Sequence, residues 1–90
     1  MEKVLESQIR IKVIEEARKN GWLHRKWSSP GHRGVPDDLF FKKKKMIMIE
    51  FKRPGEKPRA QQRKTHTSLK REGFQVHVID NIERGKKLFY

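Results

Sequence analysis

The chain reads as a mixed α/β domain, a small central sheet flanked by helices in the order α-β-β-β-α-β. Three observations predict it. Apolar residues recur at helical spacing between Val4 and Asn20. Two strand-like runs, Asp38 to Phe41 and Met46 to Phe51, face each other across a block of four lysines. After Gly73, the run Phe74 to Ile79 (FQVHVI) alternates with the period of a strand.

In the first helix Leu5, Ile9, Val13 and Ala17 repeat every four residues, Ile14 joins them, and Asn20-Gly21 supplies a stop. Trp22 to Trp27 is short, aromatic and bounded by turn residues, which predicts a strand. Ser28 to Pro36 (SSPGHRGVP) is a loop by its glycines, prolines and serines. The two runs around the lysines then form a hairpin with a solvated turn, and Arg53 to Lys57 is another loop. Pro58 sits in the first turn of a second helix that runs to about Glu72. Lys70 and Arg71 suit its last turn and Gly73 its end. In the strand that follows, Phe74, Val76 and Val78 share a face. Ile82 to Tyr90 is expected as one more helical turn and a tail.

Composition narrows the partners. Ninety residues are expected to make a single domain, residues 1–90, and 33% hydrophobic content allows only a small core. Lys and Arg number 23 against 11 Asp and Glu, a net charge of +12, and the pI is near 10.4. The cations are dispersed from Lys42 to Lys87 rather than gathered in a tail, which describes a broad basic face that tracks phosphates. Nucleic acid is the expected partner. No apolar run is long enough to span a membrane, and Met1 to Ile9 lacks the apolar stretch of a signal peptide. With no cysteine there is no disulfide, no thiolate zinc site and no cysteine nucleophile, and an intracellular protein is expected.

In so basic a chain the acids carry the information. At about 100° per residue, Glu6 falls between Val13 and Ala17 on the helical wheel. A carboxylate in that arc needs a partner or a metal; the simpler reading is an i,i+4 pair with Arg10. A hairpin symmetric about Lys43 and Lys44 matches Phe41 with Met46, Leu39 with Met48 and Asp37 with Glu50. Opposed residues have Cβ atoms about 4.5–5.5 Å apart, so the two carboxylates repel unless a cation intervenes. A pair of oxygen ligands at that spacing suits a hard divalent ion such as Mg²⁺. Lys52, two residues past Glu50, shares its face, while Ile47, Ile49 and Phe51 point to the core. The simpler alternative is a cross-strand cluster of surface charges.

Together these residues resemble the PD-(D/E)xK nucleases. Gly34-Val35-Pro36-Asp37 opens one strand and Glu50-Phe51-Lys52 ends the next. The fuller match is to the virus-type replication-repair nuclease (VRR-NUC) domain. Glu6 on the first helix, Gln62 on the helix after the E-x-K strand, Leu69 seven residues on, and Gly73 before a last strand all support it. The resemblance runs from about Glu2 to Asp80. It implies a restriction-endonuclease-like core with a mixed sheet, and a Mg²⁺- or Mn²⁺-dependent phosphodiesterase leaving a 5′-phosphate. Asp37, Glu50 and the backbone carbonyl of Phe51 would hold the metal, with Glu6 joining directly or through water. Lys52 would position and activate the attacking water, and Gln62, or its neighbour Gln61, would orient Lys52 or the phosphate. Arg63, Lys64 and His66 depart from the pattern, standing where relatives often carry bulkier apolar residues.

The expected DNA contacts are His32, Arg33, Arg53, Lys57, Arg59, Arg63 and Lys64. His24, His32, His66 and His77 lack zinc-motif spacing, and no organic cofactor is implied. Trp22 and Trp27 are expected in the core rather than stacked on bases. Small free-standing members of this family resemble Holliday junction resolvases. The expected function is therefore a homodimeric endonuclease cutting four-way junctions in DNA recombination or repair, of phage origin and acting in a bacterial host's cytoplasm. The alternatives are a flap, nick or duplex nuclease, or a non-catalytic basic nucleic-acid-binding protein.

Overall fold

In the computed structural model, which describes residues 3–90, seven elements follow one another. They are α1 (Glu6–Lys19), β1 (Leu23–Lys26), β2 (Asp38–Lys42), β3 (Lys45–Phe51), α2 (Ala60–Arg71), β4 (Gln75–Ile79) and α3 (Ile82–Lys87). Met1 and Glu2, where the family resemblance begins, lie outside the described residues. The order is the expected one, with the last helical turn formed as α3, and among the described residues no helix is long and apolar enough to cross a membrane.

The hairpin has the register its lysine block implies: Leu39 opposes Met48 and Phe41 opposes Met46. Only Lys43 and Lys44 form the turn, with φ of 46° and 68°. Positive φ at both central residues is the two-residue turn whose twist matches that of the flanking strands. Lys42 and Lys45 are therefore paired strand residues. β1 adds antiparallel to β2 and β4 adds parallel to β3, giving the order β1-β2-β3-β4. A parallel neighbour needs a crossover, and α2 supplies it.

Both long helices start later than expected, for one reason. Gln8 Oε1 accepts the Leu5 N–H at 2.7 Å and Gln62 Oε1 accepts the Arg59 N–H at 2.8 Å. Each glutamine reaches back from the third helical position to the cap amide, so α1 begins at Glu6 and not Val4, and α2 at Ala60 and not Pro58. Leu5, expected in the apolar arc, is exposed.

Strand parity sorts the two faces of the sheet. Ile9, Val13, Ile14 and Ala17 of α1 pack on Phe40, Ile47, Ile49, Phe51 and Ile79. α3 lies against the same layer so closely that a Cβ at Gly85 would meet Val13 Cγ2 at 2.5 Å. The residues beyond α3 are more than a tail: Phe89 is buried, with its ring 4.7 Å from Phe40 and 5.2 Å from Trp22. α2 covers the opposite face and buries one residue fully, His66, while Arg63 and Lys64 stay exposed. Ile47 through Phe51 is thereby buried on both sides.

The loop before Asp37 docks on α2 through Gly34. Its φ is +87°, and a Cβ there would lie 2.5 Å from the backbone oxygen of Gln61 and 2.8 Å from Thr65 Oγ1. Thr65 Oγ1 also donates to the Arg33 carbonyl at 2.9 Å, and Pro36 is fully buried. Gly34→Ala therefore meets both a backbone penalty of about 1–2 kcal/mol and a clash with main chain. We expect it to cost about 2–4 kcal/mol in urea unfolding. Gly31→Ala is the control: its φ is +83° but nothing lies within 4 Å, so only the backbone penalty, about 1 kcal/mol, applies.

Candidate active site

Glu50 is the hub. The β2–β3 register, continued one residue past Asp38 and Ile49, sets Asp37 beside it. Asp37 Oδ2 accepts the Phe51 N–H at 2.8 Å, which ties the carboxylate across to the strand bearing Glu50. Gln62 Nε2 donates to Glu50 Oε2 at 3.1 Å, and Lys52 Nζ stands 3.8 Å from the same oxygen with its side chain only 10% exposed. Gln62 is fixed at both ends of its amide, since its oxygen serves the α2 cap and its nitrogen serves Glu50. Gln61, the neighbour it could be confused with, instead lines a groove.

Burial pushes the Asp37 carboxyl up to about 7; the Phe51 N–H pulls it down, and the adjacent Glu50 pushes it further up. Between its ordinary value of 3.8 and about 7, the folded protein holds a proton that the unfolded chain has released. Metal-free stability therefore falls as pH rises through that window. We expect Asp37→Asn to be more stable than the parent at the alkaline end by about 1–2 kcal/mol, discounted for the site's partial exposure. The two should converge at the acid end. Urea unfolding in chelator at both pH extremes checks this.

A divalent cation suits what is gathered here. Glu50 Oε1 is buried without a hydrogen-bond partner, and a cation would offset the charge that raises Asp37. Among the described residues no three His, Cys, Asp or Glu side chains converge as a ligand set. The donors available are two carboxylates, to which the family resemblance would add the Phe51 carbonyl. An all-oxygen set of this size fits a hard ion that keeps part of its water.

Other expected residues fall differently. Glu6 is exposed, not turned to the sheet, and it does not take up Arg10. Arg10 instead crosses to Asp38, with Nε 2.9 Å from Oδ2 and Nη2 2.8 Å from Oδ1. Glu6 adds a small electrostatic contribution that raises Arg10 and Arg53. Asp38 is fully buried and is held also by His24 Nε2 at 2.6 Å. In the sequence Arg10 is paired with Glu6, His24 is weighed only as a zinc ligand and Asp38 is given no partner. The consecutive acids Asp37-Asp38 were the available signal, because strand parity sends them to opposite faces and each then needs its own partner.

His32, Arg33, Arg53, Lys57, Arg59, Arg63 and Lys64 are all exposed. They lie in the loops before Asp37 and after Lys52 and on α2. Arg53 pairs with Glu56 at 2.9 Å and Arg63 donates to the Pro58 carbonyl at 2.6 Å. Trp22 packs on the core, but Trp27 does not join it. The Trp27 ring instead lines a groove with His32, Arg33, Gln61, Thr65 and Leu69, because its strand ends where the loop turns toward α2.

A β-hairpin and crossover helix that set Asp37, Glu50 and Lys52 on one face define a nuclease fold of the PD-(D/E)xK class. No family model matches the chain. It is 42% identical over 82 residues to "Putative nuclease p44" of Acyrthosiphon pisum secondary endosymbiont phage 1, covering 90% of this chain and 88% of that protein. A solved structure described as a VRR_NUC domain superposes with a TM-score of 0.85 at 27% identity, covering 92% of this chain and 91% of its own. The chain belongs to the VRR-NUC family of nucleases.

Proposed function

We propose that these ninety residues form one nuclease unit, a Mg²⁺- or Mn²⁺-dependent endodeoxyribonuclease that acts as a homodimer on branched DNA, four-way junctions foremost. The observation that carries it is the gathering of Asp37, Lys52 and Gln62 around the buried Glu50 carboxylate. A bound divalent ion would supply Lewis acidity to a phosphodiester that otherwise repels hydroxide. Asp37, Glu50 and the Phe51 carbonyl would hold it, and the family resemblance would add Glu6 through water.

The protein's own groups do the rest. Lys52 brings a fixed positive charge to the scissile phosphate and orients the attacking water. Gln62 keeps the Glu50 carboxylate from rotating. The exposed cations of the two loops and α2 grip the phosphates on either side. This makes affinity fall with added salt. Cutting a junction needs two symmetric nicks, which a two-fold dimer provides. Val4 and Leu5 ahead of α1 and Ile11 within it are exposed, apolar surface that a second copy would cover. Similarity to a phage protein supports a role on DNA inside a bacterial host, in recombination or repair.

The test is a cleavage panel of linear, nicked, flap and four-way DNA with Mg²⁺, alongside sedimentation under cutting conditions. Paired nicks in the four-way substrate by a dimer are expected. Preference for flaps or nicks keeps the nuclease and removes the junction assignment. Binding of every substrate with no metal-dependent cut would make the protein a binder with a silent site.

A further inference from the structure

Among the described residues two buried side-chain atoms lack any hydrogen-bond partner, Glu50 Oε1 and His66 Nε2, and they face each other at 3.7 Å. A buried polar atom left unpaired is costly, and two such atoms side by side complete each other. Glu50 Oε1 can only accept while ionised, so the match requires a proton on His66 Nε2. The gap exceeds a hydrogen bond by roughly 0.5–1 Å, a distance that small rotations of the two side chains close.

The helix explains the pairing. Gln62 and His66 are four residues apart on α2 and so stand one above the other on the same face. Gln62 already holds Glu50 Oε2. His66 is the one residue that α2 buries fully, and it meets the other oxygen of the same carboxylate. We propose that His66 is a positioning residue: it donates its Nε2–H to Glu50 Oε1, and with Gln62 it clamps both oxygens of the carboxylate that would bind the metal. An apolar residue here would pack as well but leave Oε1 without a donor. Groups that orient a metal-binding side chain typically matter about 10- to 100-fold in affinity or rate. The effect on turnover rests on the nuclease reading; the hydrogen bond does not.

Three readouts on the full chain test it. Long-range proton–nitrogen spectra of the metal-free protein, above the imidazole titration range, should show His66 protonated at Nε2; a proton on Nδ1 alone overturns the proposal. Calorimetry with Mn²⁺ compares three variants. His66→Gln sets an amide near the place of Nε2, His66→Asn near that of Nδ1, and His66→Leu has no donor. Asn and Leu should weaken Mn²⁺ binding about 10- to 100-fold while Gln stays close to the parent. In cleavage the same two should lose kcat to a like degree with KM for DNA unchanged. Equal behaviour of Gln and Asn, or parent-like Mn²⁺ affinity in Leu, overturns the clamp. If Leu fails to fold, the Gln–Asn pair and the spectra still decide. If the parent cuts no DNA, the nuclease reading falls while the spectra continue to judge His66.

Discussion

Lys52→Ala lowers cleavage turnover about a hundred- to thousand-fold while DNA affinity stays close to that of the parent. The ammonium is held at the end of β3 with its side chain 10% exposed and lies 3.8 Å from Glu50 Oε2. In so water-poor a place a fixed charge acts strongly on the charge that develops at phosphorus. One lost cation among 23 Lys and Arg changes overall binding little. The next residue gives the contrast. Arg53 is exposed and paired with Glu56, so Arg53→Ala should weaken DNA binding modestly, with a shallower salt dependence, and leave kcat intact. Single-turnover cleavage and salt-series binding separate the two. A Lys52→Ala protein that cuts at the parental rate would remove Lys52 from the chemistry.

Arg10→Ala destabilises the protein by about 3 kcal/mol, and Arg10→Lys recovers only part of that. The guanidinium makes two hydrogen bonds, at 2.8 and 2.9 Å, to an Asp38 carboxylate that is fully buried. Loss of Arg10 leaves that charge to His24 alone. The Arg10 side chain is itself 31% exposed, which keeps the cost at the lower end of the range for broken buried pairs. A small domain holds only about 5–15 kcal/mol in total, so the loss is a large share. The consequence reaches the site, because Asp38 opens β2, paired with Ile49 and Lys26, and Asp37 is its neighbour. Urea unfolding measures the stability, and cleavage below the unfolding transition measures the reach. A change under about 1 kcal/mol would show that the pair contributes no more than a surface bridge.

Much of this was legible because it is local. The four-residue apolar repeat, the symmetric hairpin and the FQVHVI alternation each depend on periods of the backbone, and those periods do not change with context. The opposition of Asp37 and Glu50 followed from counting outward from Lys43 and Lys44, and the same parity put Lys52 beside them. Glu6 shares the helical arc of Val13 and Ala17, both fully buried, but it is the first residue of α1, beside exposed Val4 and Leu5, where that arc is no longer covered. Trp27 is expected in the core, yet it follows the last residue of β1 and lines the groove between the loop and α2. In the sequence His66 stands out only as a departure from the family's apolar pattern and as a histidine without zinc-motif spacing.

The amino-acid order alone determined which residues share a strand face, where the hairpin turns, and that two acids and an amine meet at one end of it. The packing of α1 and α2 on opposite sides of the sheet decided the rest: that Asp38 belongs to Arg10 and His24, that Gln62 and not Gln61 reaches Glu50, and that His66 lies against the same carboxylate. The physical reason is distance along the chain. Parity propagates residue by residue through hydrogen-bonded backbone. The partners of Asp38 and Glu50 come from helices that reach them only through tertiary packing, and the burial that makes those partners necessary exists only once both helices are docked.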